Sequence, residues 1–313
     1  TQSNTTDVIF AGTANVASMT AGNSAFNFTV RSMTFDATND ANTTLNLQNG
    51  ASATTTSRYL TFSSDSGNAT LTVDAGSTGD KTIQRTGSTI FSDVNLTSSL
   101  DIVHNGSGTL TFVDKTIIKG TGGITKSGTG TLILSSNNTY TGATTLSAGT
   151  LKAGSNTGMS SASALTVNGG AFDLNGFNAT VAAVGAGNAA GTITNSASGS
   201  GTNTLTISNL NVNLATLITD GATAKTAVTL NNSGGTKLLA NANNTFSGGL
   251  TIASGGARLY QQGSVTNTLV NGTLTKSNFG TGTVYIGANG STAAAQLQRS
   301  SGSVYNNIIV NAV

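Results

Sequence analysis

Between Gly108 and Ile193 a three-residue signature, Gly followed by a small residue and then a large apolar one, returns at nearly even intervals. The copies are Gly108-Thr109-Leu110, Gly130-Thr131-Leu132, Gly149-Thr150-Leu151, Gly170-Ala171-Phe172 and Gly191-Thr192-Ile193, with apolar residues separated by 22, 19, 21 and 21 positions. Such a period is too long for a heptad and too short for a pair of helices; it fits one coil of a parallel β-solenoid. Stacked coils would set Leu110, Leu132, Leu151, Phe172 and Ile193 over one another as an internal ladder. The preceding Gly would occupy a corner that needs a positive φ or close backbone approach.

Short alternating runs fill the rest of the chain, among them Thr44-Leu45-Asn46-Leu47, Thr70-Leu71-Thr72-Val73, Thr131-Leu132-Ile133-Leu134 and Leu205-Thr206-Ile207. Turn residues separate them, which is the strand signal. Successive side chains leave a strand on opposite faces, so the apolar set points to a core while Thr, Ser and Asn point out. If the whole chain keeps the period, about 15 coils at the strand spacing give a rod roughly 70 Å long.

Composition supports order in β-structure. The 313 residues include 40 Gly but no Pro, Cys, Trp or Glu, and only 8% are charged. The low charge and missing Glu leave helix without its usual formers. Disorder goes with high net charge and abundant Pro, whereas net charge here is +2 and Val, Ile and Thr are plentiful. Pro has no N–H to give to the next coil, so its absence suits stacked strands. Residues 1–120 carry nine Asp against six basic residues, and later residues only Asp173 and Asp220 against Lys126, Lys152, Lys225, Lys237, Arg258, Lys276 and Arg299. These seven are scattered singly, which predicts a solvated face and no nucleic-acid footprint. No apolar run reaches the roughly 20 residues of a membrane helix. A first residue of Thr1 in place of Met suggests a processed or excised chain.

A longer similarity overlies the short one. Ser127-Gly128, Leu132-Ile133 and Asn137-Asn138-Thr139-Tyr140-Thr141-Gly142 return 106 positions later as Ser233-Gly234, Leu238-Leu239 and Asn243-Asn244-Thr245-Phe246-Ser247-Gly248. Asn tolerates left-handed backbone geometry and bonds along a stack, so these Asn read as turn residues and Tyr140 and Phe246 as equivalent core positions. The run Gly122-Gly123-Ile124-Thr125-Lys126-Ser127-Gly128-Thr129-Gly130-Thr131-Leu132-Ile133-Leu134, continued by Asn138 to Leu146 and Ala148-Gly149-Thr150-Leu151, resembles the autotransporter-associated β-strand repeat of bacterial passenger domains. Residues 232–260 form a weaker copy, and Leu165 to Gly176 and Gly191 to Ile207 resemble segments that follow it. The resemblance implies a right-handed parallel β-helix carried to the cell surface, often by a C-terminal outer-membrane barrel. No such barrel signature is present; Asn306-Asn307-Ile308-Ile309-Val310 reads as another solenoid strand, which either continues into further chain or meets another subunit.

Chemistry is sparse. With no Cys, no Glu and no second His, His104 cannot join a His-rich zinc site. Asp101 and His104 with a Ser could form a triad in principle, but the expected place for His104 is a solvent-facing turn. Asp36 with Asp40 and Asp74 with Asp80 are candidate acid pairs for glycoside hydrolysis or calcium; their Gly, Asn, Ser and Thr surroundings read as turns. Gly185-Ala186-Gly187 lacks the context of a phosphate loop.

The expectation is therefore an all-β, parallel right-handed β-helix of about 21 residues per coil, with a less regular region over 1–105 continuous with a repeat solenoid over 106–313. Its expected role is that of an extracellular, non-enzymatic, passenger-like surface protein, structural or adhesive. A self-assembling filament subunit is the alternative, and a polysaccharide-acting β-helix enzyme a third reading. No catalytic, cofactor-binding or metal-ligating residue and no cofactor are expected. Expected partners are copies of the chain end to end, or a host or matrix surface or polysaccharide, with no nucleic acid and no membrane span.

Overall fold

A computed structural model describes residues 6–12, 16–21, 28–49, 58–86, 92–113, 115–210, 212–231, 239–253, 258–264, 267–271, 273–287, 296–301 and 303–310, which contain strands, turns and bends and no helix. Asp114, Ser233, Gly234, Lys237 and Leu238 lie outside the described residues. The chain divides into two compact units, Thr1–Ser163 and Ala164–Val313.

In the first unit each turn of the chain visits up to three sheets. The first sheet stacks Asp7–Phe10, Ser32–Phe35, Ala69–Val73, Leu100–His104, Ile124–Ser127 and Thr144–Leu146. A second stacks Val16–Ala21, Thr43–Asn49, Lys81–Thr86, Thr109–Phe112, Thr131–Leu134 and Thr150–Ala153, and a third stacks Phe28–Val30, Arg58–Phe62, Ser92–Leu96 and Ile118–Gly120. Because a strand's neighbour arrives one full coil later, pairing is parallel, as in Ile124 with Thr144 and Leu60 with Val94. This is a parallel β-solenoid.

The ladder forms as the spacing predicts. Leu110 pairs with Leu132, and Leu132 with Leu151. All three are fully buried, each stabilising the stack by about 2 kcal/mol. In the second unit Phe172 pairs with Ile193, both buried. The corner glycines take both expected forms: Gly149 has φ +70°, while at Gly130 an added Cβ would run into the His104 ring.

Coil length is less uniform than the period of 21 between residues 108 and 193. Ser32 pairs with Thr70, 38 residues on, Thr70 with Asp101, 31 on, and Leu250 with Val284, 34 on. The extra residues include added strands, Arg58–Phe62 and Ser92–Leu96 of the third sheet in the first two steps and Asn267–Val270 with Thr273–Ser277 in the last, and lie outside the paired segments, so the inward faces of the paired strands stay aligned.

The second unit stacks Ala164–Val167, Ala179–Val184, Thr202–Asn209, Lys225–Leu230, Leu250–Ile252, Val284–Ile286 and Ile308–Val310 in one sheet and Gly170–Asp173, Gly191–Thr194 and Leu217–Ile218 in another. Ile308–Val310 is indeed a further solenoid strand, paired with Val284–Ile286. Among the described residues one antiparallel pair departs from the pattern, Asn267–Val270 with Thr273–Ser277.

Candidate functional site

Alternation along Leu100–His104 buries Leu100, Ile102 and His104 and turns Asp101 and Val103 outward. His104 is fully buried, which corrects the expectation of a solvent-facing turn histidine. The two-residue period carries the core face through the last residue of the strand. Neither ring nitrogen has a hydrogen-bond partner among the described residues. Burial, then the charges of Lys126 and Lys81, push its pKa down to about 4, so the ring is neutral at pH 7. Asp101 accepts from Asn68 Nδ2 at 3.0 Å on the outer face. Asp101 and His104 thus stand on opposite sides of one strand, and no triad forms.

Two lysines occupy ladder positions. Lys126 is in register with Ile102 and Lys81 with Leu110, and both are fully buried. For Lys126 this overturns the reading of a solvated charge; exposed Lys225 keeps it. The Lys126 ammonium donates to the carbonyls of Ser127 at 2.7 Å, Gly128 at 2.9 Å and Ala148 at 3.4 Å. Lys81 donates to those of Asn39 at 3.1 Å and Ala41 at 2.7 Å. Each cation thus satisfies turn carbonyls directed inward, which would cost free energy if left unpaired. Burial lowers both pKa values, that of Lys126 to about 8.

The repeated Asn residues clip coils together. Asn138 Oδ1 accepts from the Ile118 N–H at 2.8 Å while its Nδ2 donates to Gly158 O at 2.7 Å. Asn244 repeats this, accepting from Ile218 N–H at 2.9 Å and donating to Asn278 O at 2.9 Å. Tyr140 and Phe246, two residues further, are both fully buried, as equivalence requires. The Tyr140 hydroxyl meets Thr144 Oγ1 at 2.8 Å, and burial raises its pKa to about 12.

Of the four acidic candidates, Asp36 and Asp80 use their carboxylates in a turn and a clip, and Asp40 and Asp74 join turns through their backbone. Asp36 accepts from the Thr38 N–H and hydroxyl at 2.9 and 2.7 Å, and the Asp40 N–H donates to Thr38 O. The Asp74 carbonyl accepts from Ser77 N–H. Asp80 accepts from the Thr109 N–H and hydroxyl, one coil on, at 2.7 and 3.0 Å. Asp220 does the same for Ser247 at 3.0 and 2.6 Å. Among the described residues no group of three or more His, Cys, Asp or Glu is placed to hold a metal, and no helix is long and apolar enough to cross a membrane.

The outer faces are the chemically open ones. Sequence reading missed the inward lysines, although Lys81 and Lys126 fall on the apolar phase of their strands, and it missed how outward residues align. In the second unit Thr180, Thr206, Thr229 and Thr251 are successive register partners, with Tyr285 next in line.

Residues 124–153 match the family described as Passenger-associated-transport-repeat. That stretch holds Lys126, Gly130, Leu132, Asn138, Tyr140, Gly149 and Leu151. The chain is also 38% identical over 116 residues to the "Adhesin BmaC autotransporter" of Brucella suis biovar 1 (strain 1330), a match covering 35% of this chain and 3% of that relative. The matched part is thus a small fraction of the relative's length. No solved structure matches the chain.

Proposed function

For a chain that is an autotransporter passenger repeat protein, located at the cell surface or outside the cell, we propose the role of a non-enzymatic, adhesin-like β-solenoid. One observation carries the reading: several of the side chains capable of chemistry are occupied in stacking. Lys81, Lys126, Asp80 and Asp220 bond to the backbone of their own or neighbouring coils, and His104 is sealed in the core. What reaches solvent is a set of aligned, mostly uncharged polar faces on a stiff support. Such a support holds contact residues at fixed spacing, which reduces the ordering cost of binding. Resemblance to an adhesin over 116 residues supports the same role, with a host or matrix surface as partner.

Beads coated with the purified chain should adhere to host-cell monolayers or matrix-coated wells above protein-blocked beads. Adherence no greater than that of the blocked beads would contradict the adhesive role, and release of new sugar ends from a polysaccharide by the purified chain would contradict the non-enzymatic one.

A further inference from the structure

We infer that the outward file Thr180, Thr206, Thr229, Thr251 and Tyr285 is a binding strip for a linear, uncharged polysaccharide chain. The inference rests on the adhesive reading above and names the chemistry of the partner.

The file is built by register. Thr180 pairs with Thr206, Thr206 with Thr229, Thr229 with Thr251 and Thr251 with Tyr285. On the other side of the same strands Val181, Leu205, Ile207, Val228, Leu230, Leu250, Ile252 and Val284 are buried, so alternation fixes the five residues on the outer face. Threonine is stiff at χ1, and identical residues on a parallel stack present hydroxyls at a repeat of about 4.8 Å. That repeat is close to the length one pyranose residue adds to an extended chain. No hydrogen bond among the described residues engages any of the four hydroxyls, in contrast to those of Thr109 and Thr226, which bond to Asp80 and Thr219 O. They remain available to a ligand.

The flank and the end of the file fit a sugar. Beside Thr229 the strip is floored by half-buried Ala227, and beside Thr251 lies Gly249, which is buried. The Tyr285 ring covers Gly249, 3.3 Å from where a Cβ there would stand, and so forms the surface of the strip at this end. An aromatic face beside hydrogen-bonding groups suits the apolar face of a pyranose ring and its hydroxyls together. Across Ala179–Val184, Thr202–Asn209, Lys225–Leu230, Leu250–Ile252 and Val284–Ile286 the one charged residue is Lys225. A nucleic acid would need several cations, and a protein partner would need a larger apolar centre. A neutral chain of repeating hydroxyls needs neither.

The test is affinity electrophoresis of the chain through gels containing hydroxyethylcellulose, with cellohexaose titrated by calorimetry and polygalacturonate as the charged control. The native chain should be retarded by the neutral polymer and not by the charged one. Thr206→Val with Thr229→Val, which removes two hydroxyls at constant shape, should weaken cellohexaose binding about tenfold or more. Tyr285→Ala should weaken it similarly, whereas Thr72→Val on the first unit should leave it unchanged. Circular dichroism and the unfolding midpoint establish that the variants fold. No binding of either neutral probe, equal binding by the folded double variant, or preference for polygalacturonate would overturn the inference. Adhesion that persists in a chain without glycan binding would leave the adhesive role standing and this strip refuted; glycan binding without adhesion would do the reverse.

Discussion

The backbone of Gly130 rests against the imidazole of His104 one coil away, so that a Cβ added at residue 130 would overlap the ring. The two are also joined through the backbone, Gly130 N–H donating to His104 O at 2.8 Å. The glycine of the repeat and the buried histidine are thus one packing unit. Gly130→Ala should destabilise the chain by about 2–4 kcal/mol through overpacking. His104→Ala in the same chain should recover at least about 1 kcal/mol of that cost, because it removes the atoms in conflict. Urea unfolding of the four chains of the cycle measures this, and strictly additive costs would contradict the contact. Val at both Gly130 and Gly149 should lower the unfolding temperature clearly, the second position adding strain at φ +70°.

His104 makes stability depend on pH. Its pKa falls from 6.5 in the unfolded chain to about 4 in the fold, so between these values the unfolded state binds more protons and stability falls as pH falls. The loss between pH 6.5 and 4 is on the order of 3 kcal/mol. His104→Val, which repeats the side chain of its register partner Val73, should flatten the unfolding free energy between pH 6.5 and 5. An unchanged slope would place the titration elsewhere.

Lys126 gives a second window at alkaline pH. With a folded pKa of about 8 against 10.5 unfolded, the unfolded chain again holds the extra proton, and stability should rise from pH 8 to 10. Lys126→Met should abolish that rise. Lys126→Ala should cost about 2–4 kcal/mol at pH 7, since it leaves a cavity and the carbonyls of Ser127 and Gly128 without their partner, and the cost should grow as pH rises from 8 to 10.

Asn138→Ala removes two clips at once and should cost about 2–3 kcal/mol. Amide exchange locates the loss: Ile118, whose N–H bonds to Asn138 Oδ1, should lose protection before the Leu110 to Leu151 ladder does. Asn244→Ala should do the same at Ile218. Global loss of protection in both variants would show that these Asn are not local clips.

What was legible in the sequence follows from where the period holds. Leu110, Leu132 and Leu151 could be aligned because the connections between them differ by only a few residues. The 38-residue step from Ser32 to Thr70 could not be read, since the added third-sheet strand Arg58–Phe62 and its connections hide the offset while leaving register intact. His104 was misplaced because the Asn-Gly that follows it signals a turn, although Leu100 and Ile102 already set its phase. Lys126 was misread because a lone cation is ordinarily solvated, and only the three-dimensional path of the turn puts carbonyls within reach of its ammonium. The threonine file was invisible because Thr180, Thr206, Thr229 and Thr251 are unevenly spaced in sequence and become a line only through pairing.

Cysteine pairing gives the most direct test of stacked, in-register coils, because the chain has no Cys of its own. Thr131 and Thr150 are register partners on adjacent coils and both face outward, within the span a disulfide bridges. Thr131→Cys with Thr150→Cys should oxidise rapidly to an intramolecular bond under native conditions, and Thr131→Cys with Lys152→Cys, two residues out of register, should not. Preferential closure of the Thr131 and Lys152 pair, or closure of neither, would contradict the solenoid register.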